Sequence, residues 1–491
     1  MSAIYKRELK SYFRSFIGFL FIAVTLFFLG LYFSVYNLMN GYPYFAYVVS
    51  SVTFLFMLTV PILTMRILAE EKRSKTDQLI LTAPVSVGGI VMGKFLALLT
   101  IFAIPVAIIC FYPLIMAQYG SVPMGEAYLS ILAYFLFGMT AIAIGLFLSS
   151  VTESQVIAAV LTFLVLFLGY MMDSICSIIS STGNLLTKLL RCFDLYTPFS
   201  NLLNGTLDVS SIVYYVSVTA LVLFLTVQSI QKRRYSMSVK NLSFSAYSTG
   251  MIAVAIALVV VVNIIMGEMP SSWTAIDMTS QKLYSLTDQT VDYVKNMQDD
   301  VTIYVLVNQD NQDTTLGQTL QRYDDLSDHI TVEYVDPTVN PMFYTQYTTG
   351  NISTNSLIVV SDKRSKVIDY NDVYESSYDF DYSTYSYNTT TTGYDGEGQI
   401  TSALDYVLND DMPKVYMTTG HNELSLSNTF TSALNKENVD YETVNLMDLD
   451  AIPDDAACLF INGATSDFSS DDKDKVIEYL NNGGKVILVT G

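Results

Sequence analysis

The sequence predicts an all-α membrane domain followed by α/β domains that lie outside the lipid. Seven apolar stretches, each near the roughly 20 residues that a helix needs to cross a bilayer, occupy residues 1–266. Residues 267–491 contain no further stretch of that kind and alternate between strand-like and helix-like patterns. Charge is divided at the same point. Residues 1–266 carry 15 Lys and Arg and 9 Asp and Glu, whereas residues 267–491 carry 11 Lys and Arg and 37 Asp and Glu.

Seven membrane spans are expected, of which the fifth is the shortest. Their predicted bounds are 16–36, 44–65, 90–117, 127–149, 156–172, 212–230 and 246–266. The first six would form a helical domain over residues 16–235, and the seventh, 246–266, would be an added anchor helix.

Residues 1–15 are predicted to form a basic amphipathic helix of the kind that lies in the membrane interface. A plain cytoplasmic extension of the first span is the alternative. The basic residues of this helix are Lys6, Arg7, Lys10 and Arg14.

Basic residues near the ends of the spans predict the orientation of the chain. With a cytoplasmic N-terminus, 13 of the 15 basic residues fall inside, and only Lys188 and Arg191 fall outside. Seven crossings then place the acidic residues 267–491 outside the cytoplasm. Cys176 and Cys192 share one outer loop in which a disulfide is chemically permitted, but their spacing does not decide whether they pair.

The loop between the second and third spans is expected to contain a charged helix. It would begin at Arg66, run to about Leu81 and end before Pro84. Glu71 stands four residues before Lys75, the favourable order for an ion pair on a helix. A helix too polar for lipid suits docking to a cytoplasmic partner, and a solvated connector is the alternative.

Residues 267–375 are predicted to form an α/β unit of thioredoxin-like order, in which strand, helix and strand precede a closing hairpin. Residues 376–399, rich in Tyr, Ser, Thr and Asp, are interpreted as a low-complexity linker or exposed loop. Residues 400–491 are predicted to form a doubly wound α/β unit of the flavodoxin or glutamine-amidotransferase type. Because the chain stops directly after a strand, we expect this last unit to be truncated.

No catalytic or metal site emerges from the sequence. Gly88–Lys94 has the glycine and lysine spacing of a phosphate-binding loop, but Phe95 stands where Ser or Thr would hold magnesium. His421 and Glu423 are interpreted as loop or cap residues. We therefore expect no enzyme activity, no metal and no cofactor in this chain. Its acidic exterior argues against nucleic-acid binding.

With these residues in view, the chain resembles a fusion of two components of bacterial ABC systems. Its first 235 residues or so, with IYKRELKSYFRSFIG and LAEEKRSKTDQLILTAPVSVGGIVMGKFLA, are similar to type-2 ABC exporter permeases. The remainder resembles the auxiliary component of gliding-motility-associated ABC systems, through IDMTSQKLYSLTDQT, VEYVDPTVNP, ITSALDYVLNDDMPKVYMTTGHNEL and NNGGKVILVTG. The sequence departs from the family patterns at Phe16, where proline is frequent, and at Lys75 and Asn422, where glycine is frequent.

The resemblance implies a six-helix permease core, dimerisation of permease subunits and a separate subunit that binds and hydrolyses ATP. It also implies which residues of the second loop contact that ATPase, namely Glu70, Glu71, Lys72, Arg73 and Thr76. We therefore expect a multi-pass permease subunit of an ABC exporter in the bacterial cell membrane. The alternative is a mechanotransmission or envelope scaffold protein that the ATPase drives without moving a substrate. An ectoenzyme anchored by its spans is a third, less favoured hypothesis.

Overall fold

The computed structural model describes residues 1–77, 85–179, 187, 190–234, 242–267, 269, 274–279, 282, 285–308, 312–350, 352–381, 386–409 and 412–490. The chain folds into two compact units, Met1–Ser285 and Leu286–Gly491.

The first unit is a bundle of apolar helices. In chain order these are α1 (Ser2–Arg14), α2 (Phe16–Phe33), α3 (Ala46–Thr64), α4 (Arg66–Arg73), α5 (Val87–Ile109), α6 (Tyr112–Met116), α7 (Met124–Val151), α8 (Gln155–Tyr170), α9 (Met172–Ile179), α10 (Thr197–Leu203), α11 (Val209–Arg234) and α12 (Leu242–Gly267). A π-helical segment, Ser34–Met39, prolongs α2. Two short strands, β1 (Thr206–Asp208) and β2 (Ala275–Asp277), pair with each other antiparallel.

The predicted apolar helices are confirmed. Within the described residues, six helical segments are long and apolar enough to cross a membrane, and the bent pair α8–α9 makes a seventh if it is counted as one span. The 16 residues of α8 extend about 24 Å, less than the roughly 30 Å of a hydrocarbon core. The axis then bends by 56° into α9. Among the described helices that correspond to the predicted spans, α8 is therefore the shortest, as expected for the fifth.

One end of the bundle brings together the start of α7, the start of α11 and the segment that follows α12. The Met278 carbonyl lies 2.8 Å from the position that a Cβ atom on Gly125 would occupy. The N–H of Met278 donates to the Gly205 carbonyl (2.9 Å). The end of α8 lies here too, because Leu195 donates to the Gly169 carbonyl and accepts from the Tyr215 hydroxyl of α11.

The opposite end brings together α4, the start of α5, and the ends of α7 and α11. Lys72 of α4 donates to the Val151 carbonyl (2.9 Å), and Ser150 of α7 donates to Ser229 of α11 (3.1 Å). The helices therefore alternate between the two ends, which is the path that seven crossings require.

Cys176 and Cys192 are not joined in the structure, so the disulfide that the sequence permits is not formed.

The second unit begins with a four-stranded sheet in the order β4-β3-β5-β6. Its elements are α13 (Asp288–Lys295), β3 (Val301–Val305), α14 (Thr314–Leu326), β4 (Ile330–Tyr334), β5 (Leu357–Ser361), β6 (Ser365–Ile368) and α15 (Tyr370–Val373). β3 and β4 are parallel, whereas β3–β5 and β5–β6 are antiparallel. This order matches the predicted thioredoxin-like arrangement with its closing hairpin.

The structure corrects the interpretation of residues 376–399 as a linker or exposed loop. Most of this segment forms an antiparallel hairpin of β7 (Tyr374–Asp381) and β8 (Ser386–Tyr394), in keeping with the β propensity of its many Tyr and Thr residues. The next helix, α16 (Gly396–Leu408), packs its buried Ile400 and Leu404 into the core of the first sheet. That core therefore extends to Leu408 and does not end at residue 375.

A second sheet follows in the order β10-β9-β11-β12, and all of its strands are parallel. Its elements are β9 (Lys414–Thr419), α17 (Asn428–Lys436), β10 (Asp440–Asn445), β11 (Ala456–Asn462), α18 (Ser470–Asn481) and β12 (Val486–Val489). This order confirms the predicted doubly wound unit. The truncation expected from the sequence stays a prediction.

Candidate functional site

A fully buried lysine lies near the start of α5. The Lys94 ammonium is 3.0 Å from Glu8 Oε1 and 2.9 Å from Glu71 Oε2, and it donates to the Ile67 carbonyl at 3.0 Å. An ammonium group has three N–H donors, so these three acceptors satisfy it. A buried charge without such partners would be strongly unfavourable.

Arg7 completes the arrangement. Its guanidinium lies 2.6 Å from Glu71 Oε1 and also pairs with Glu8. Burial alone would raise the pKa of the Glu8 carboxyl, but Lys94 and Arg7 together hold it below its ordinary value. Two cations and two carboxylates therefore join α1, α4 and α5, and we call Arg7, Glu8, Glu71 and Lys94 the ion cluster.

Further contacts fix α4 against the bundle. Only Met65 separates it from α3, so it prolongs the second span and is not a separate loop helix. The Ser149 hydroxyl of α7 accepts from the backbone N–H groups of Leu68 and Ala69 (3.2 and 3.1 Å) and donates to the Met65 carbonyl (3.1 Å). Displacement of α4 therefore acts on α3, α5 and α7.

The structure corrects the predicted end of this helix. α4 stops at Arg73, because the N–H of Thr76 bonds to the Glu71 carbonyl (3.0 Å) and that of Lys75 bonds to the Lys72 carbonyl (3.2 Å). Such paired bonds define a Schellman motif, which requires a left-handed residue, and Lys75 has φ of 58°. Leu81 and Pro84, the predicted end and stop of the helix, lie outside the described residues.

The residues predicted to contact an ATPase point in different directions. Glu71 faces the ion cluster, Lys72 bonds to Val151, and Glu70 pairs with Arg66 on its own helix. Arg73 and Thr76 are exposed, as are the two residues between them. We call Arg73, Ser74, Lys75 and Thr76 the α4 tip. It is the part of the predicted site that is open to a partner.

The ion cluster was not predicted from the sequence. Lys94 counted there as one of the inward basic residues and as part of the false phosphate-binding loop Gly88–Lys94, which lies inside α5, behind the N-cap Ser86. A signal was available, because Lys94 is a lone cation in an apolar stretch and Glu8 is the single acid of α1. Their contact across 86 positions was not predictable from spacing.

A second constellation lies in the second unit, at the carboxyl end of β9. His421 is buried, with Nδ1 3.4 Å from Glu423 Oε1 and Nε2 3.3 Å from Asp472 Oδ2. Its ring stacks on Phe468 at 4.0 Å. The Ser469 hydroxyl donates to Asp472 at 2.6 Å and, with His421, holds the pKa of that carboxyl below its ordinary value.

This constellation occupies the point between β9 and β11 where doubly wound sheets bind ligands. Glu423 and Asp472 approach opposite nitrogens of the His421 ring, so they do not converge on one metal ion. No group of three metal-binding side chains occurs within the described part of the chain. The His421 backbone N–H donates to Glu423 (2.7 Å), which fits the predicted loop role. The contact of Asp472 with His421 was not predicted from the sequence.

Comparison with known families finds a similarity for part of each unit. Residues 32–265 match a family model described as ABC-2 family transporter protein. Over these residues the chain is similar to ABC-2 family transporters. The match contains Glu71, Lys94 and the α4 tip, and it includes α12 as far as residue 265, although the sequence predicts that helix as an added anchor. Residues 280–373, a range that contains the first sheet of the second unit, match a model described as Domain of unknown function (DUF7088). No curated protein matches the chain.

Proposed function

We propose that the chain is the permease subunit of an ABC-type exporter, and that a separate subunit binds and hydrolyses ATP. The observation that carries this proposal is the match of residues 32–265 to the ABC-2 transporter family, whose members normally work with a separate ABC ATPase and often as dimers. On this proposal, the chain itself needs no cofactor. The α4 tip supports it, because an exposed basic turn on a rigid helix suits contact with a cytoplasmic subunit.

The ion cluster suggests how motion would reach the spans. A displacement of the α4 tip would be transmitted to α5 by the Glu71–Lys94 ion pair. The Glu8–Lys94 ion pair would transmit it further to α1. Removing one partner of a buried ion pair costs about 3–5 kcal/mol, so the cluster resists separation. We therefore infer that α1, α4 and α5 move together.

We further propose that the N-terminus and the α4 tip are cytoplasmic and that residues 267–491 are extracytoplasmic in a bacterial cell membrane. Arg7 of α1, Lys72 of α4 and Lys94 of α5 lie at one end of the bundle, and basic ends of spans favour the cytoplasm. The C-terminal part, which resembles a gliding-motility-type auxiliary component, would contact substrate, envelope material or another protein.

Charge reversal at the α4 tip tests the ATPase contact. Arg73→Glu with Lys75→Glu should abolish the ATP hydrolysis that co-purifies with the tagged chain, because both cations are exposed. Glu71 is left unchanged, since its side chain faces inward. The matched control is Lys295→Glu with Lys473→Glu, two exposed cations of the second unit, and it should retain the activity. Equal co-purified activity in both variants would count against the α4 tip as the contact.

A second candidate function, mechanotransmission without translocation, is favoured by the β1–β2 pair. β2 lies shortly before the second unit, and β1 leads directly into α11. Three residue pairs join the strands, Thr206 with Asp277, Leu207 with Ile276 and Asp208 with Ala275. A shift of α11 would therefore pull on the segment that enters the acidic domain.

Reconstituted vesicles that contain the chain and its ATPase separate the two functions. ATP-dependent movement of material across the bilayer supports export. ATP-dependent change in hydrogen exchange of residues 286–490, with nothing crossing, supports mechanotransmission.

A further inference from the structure

We propose that the outward face of α1 binds the headgroups of anionic phospholipids. The inference goes beyond transport, because it requires only that the apolar helices span a bilayer. Its occupant is the phosphodiester of an anionic lipid at the membrane surface.

The depth of α1 supports this assignment. Ser15 is extended (φ −95°, ψ 157°), so the chain turns sharply between α1 and α2. The Tyr12 carbonyl then lies 2.8 Å from the position that a Cβ atom on Gly18 would occupy, in the first turn of α2. In the same way, the Met1 carbonyl lies 3.1 Å from the corresponding position on Gly93, near the start of α5. α1 therefore lies across the ends of two spans, at the level of the headgroups.

Contacts on the inner face fix how α1 is rotated. The Tyr12 hydroxyl donates to the Leu63 carbonyl (2.9 Å), and the Tyr5 hydroxyl bonds to Thr100 (3.1 Å). Glu8 is held by Lys94 on the same side. These three contacts fix the rotation of α1, so its opposite face points away from the bundle.

The outer face carries three exposed cations, Lys6, Lys10 and Arg14, spaced four residues apart. They form one line of about 12 Å along the helix. Within the described part of the chain, none of the three forms an ion pair, whereas Arg7 on the same helix is paired twice. Beside them, Phe16 and Phe19 are 75% and 55% exposed. Free cations next to exposed aromatic rings complement an anionic bilayer surface rather than a soluble polyanion.

Lipid-specific fluorescence quenching tests the proposal on the full chain in vesicles. Phe16→Trp is introduced as the reporter, with Trp273→Phe to remove the natural tryptophan. Brominated phosphatidylglycerol should quench this reporter at a lower mole fraction than brominated phosphatidylcholine does. Each free cation is expected to raise the affinity for phosphatidylglycerol, relative to phosphatidylcholine, about fivefold. Lys10→Gln should therefore lower the preference about fivefold, and the triple variant Lys6→Gln, Lys10→Gln, Arg14→Gln should abolish it.

Arg66→Gln is the matched control, since it removes the same charge at the same end of the bundle from a paired position outside α1, and it should retain the preference. Lys10→Arg should also retain it, which separates charge from folding. Soluble glycerol phosphate or an acidic peptide should leave the quenching unchanged. The proposal is overturned if the triple variant keeps the preference, if Arg66→Gln loses as much as Lys10→Gln, or if a soluble anion displaces the lipid.

Discussion

Lys94 places a positive charge among apolar side chains, and its three acceptors make that burial tolerable. Lys94→Met should lower the free energy of unfolding by about 3–5 kcal/mol, because the two carboxylates would keep only Arg7 as a cationic partner. Titration of the detergent-solubilised chain with a denaturing detergent measures this loss. The matched control is Arg66→Met, which breaks a half-exposed pair with Glu70 and should cost no more than about 0.5 kcal/mol. A similar loss of unfolding free energy in the two variants would show that the ion cluster stabilises the fold no more than an exposed ion pair does.

Lys75 stands at a backbone position that favours glycine. Its φ of 58° is left-handed, a conformation that costs an L-residue roughly 1 kcal/mol and costs glycine little. Lys75→Gly should therefore raise the unfolding midpoint in the same titration. Ser74→Gly, one residue earlier in a right-handed conformation, should lower it. A lower unfolding midpoint for Lys75→Gly would mean that a contact of the lysine side chain stabilises the fold by more than the backbone strain costs.

At the scale of elements, the β1–β2 pair depends on Gly205. This residue has φ of 90°, and a Cβ atom there would lie 2.7 Å from Thr279 Cγ2. Gly205→Ala should open the pair and speed hydrogen exchange at residues 275–278 about tenfold or more. Gly41→Ala is the control, because Gly41 has a similar φ of 70° and open space around it. If residues 275–278 exchanged as slowly in Gly205→Ala as in the unchanged chain, the role of the β1–β2 pair in joining α11 to the segment before the second unit would be contradicted.

At the scale of the whole molecule, orientation is the property to test. Protease added to intact spheroplasts should digest residues 286–491 and leave the segment 66–84 intact, because the basic ends of the spans favour the cytoplasm. Lysis before digestion is the control and should expose both segments. Protection of the acidic part until lysis would reverse the proposed topology.

Much of the architecture was predictable because it depends on local patterns. Hydrophobic length predicts the membrane helices, and alternation with turn residues predicts both sheets. Two departures from the family pattern are also local. Lys75 and Asn422 stand where relatives of the resembled family often have glycine, and both have positive φ.

Partners far apart in the chain were not predictable. Glu71 looked like a surface residue on an exposed helix, yet it faces Lys94, and Asp472 reaches His421 from another helix. The interpretation of residues 376–399 as a linker rested on composition alone and did not predict the hairpin of β7 and β8. Which side of a helix faces its neighbours, and which charge meets which, is set by the packing of whole elements.

Hydropathy and residue spacing suffice for the apolar helices and for the succession of strands and helices along residues 267–491, since each signal lies within one element. Only tertiary packing decides that Lys94 joins α1, α4 and α5, that β2 pairs with β1, and that Glu71 faces inward whereas Arg73 and Thr76 are exposed. The physical reason is that a buried charge or an unpaired strand must find its partner in space, and that partner lies many residues away along the chain.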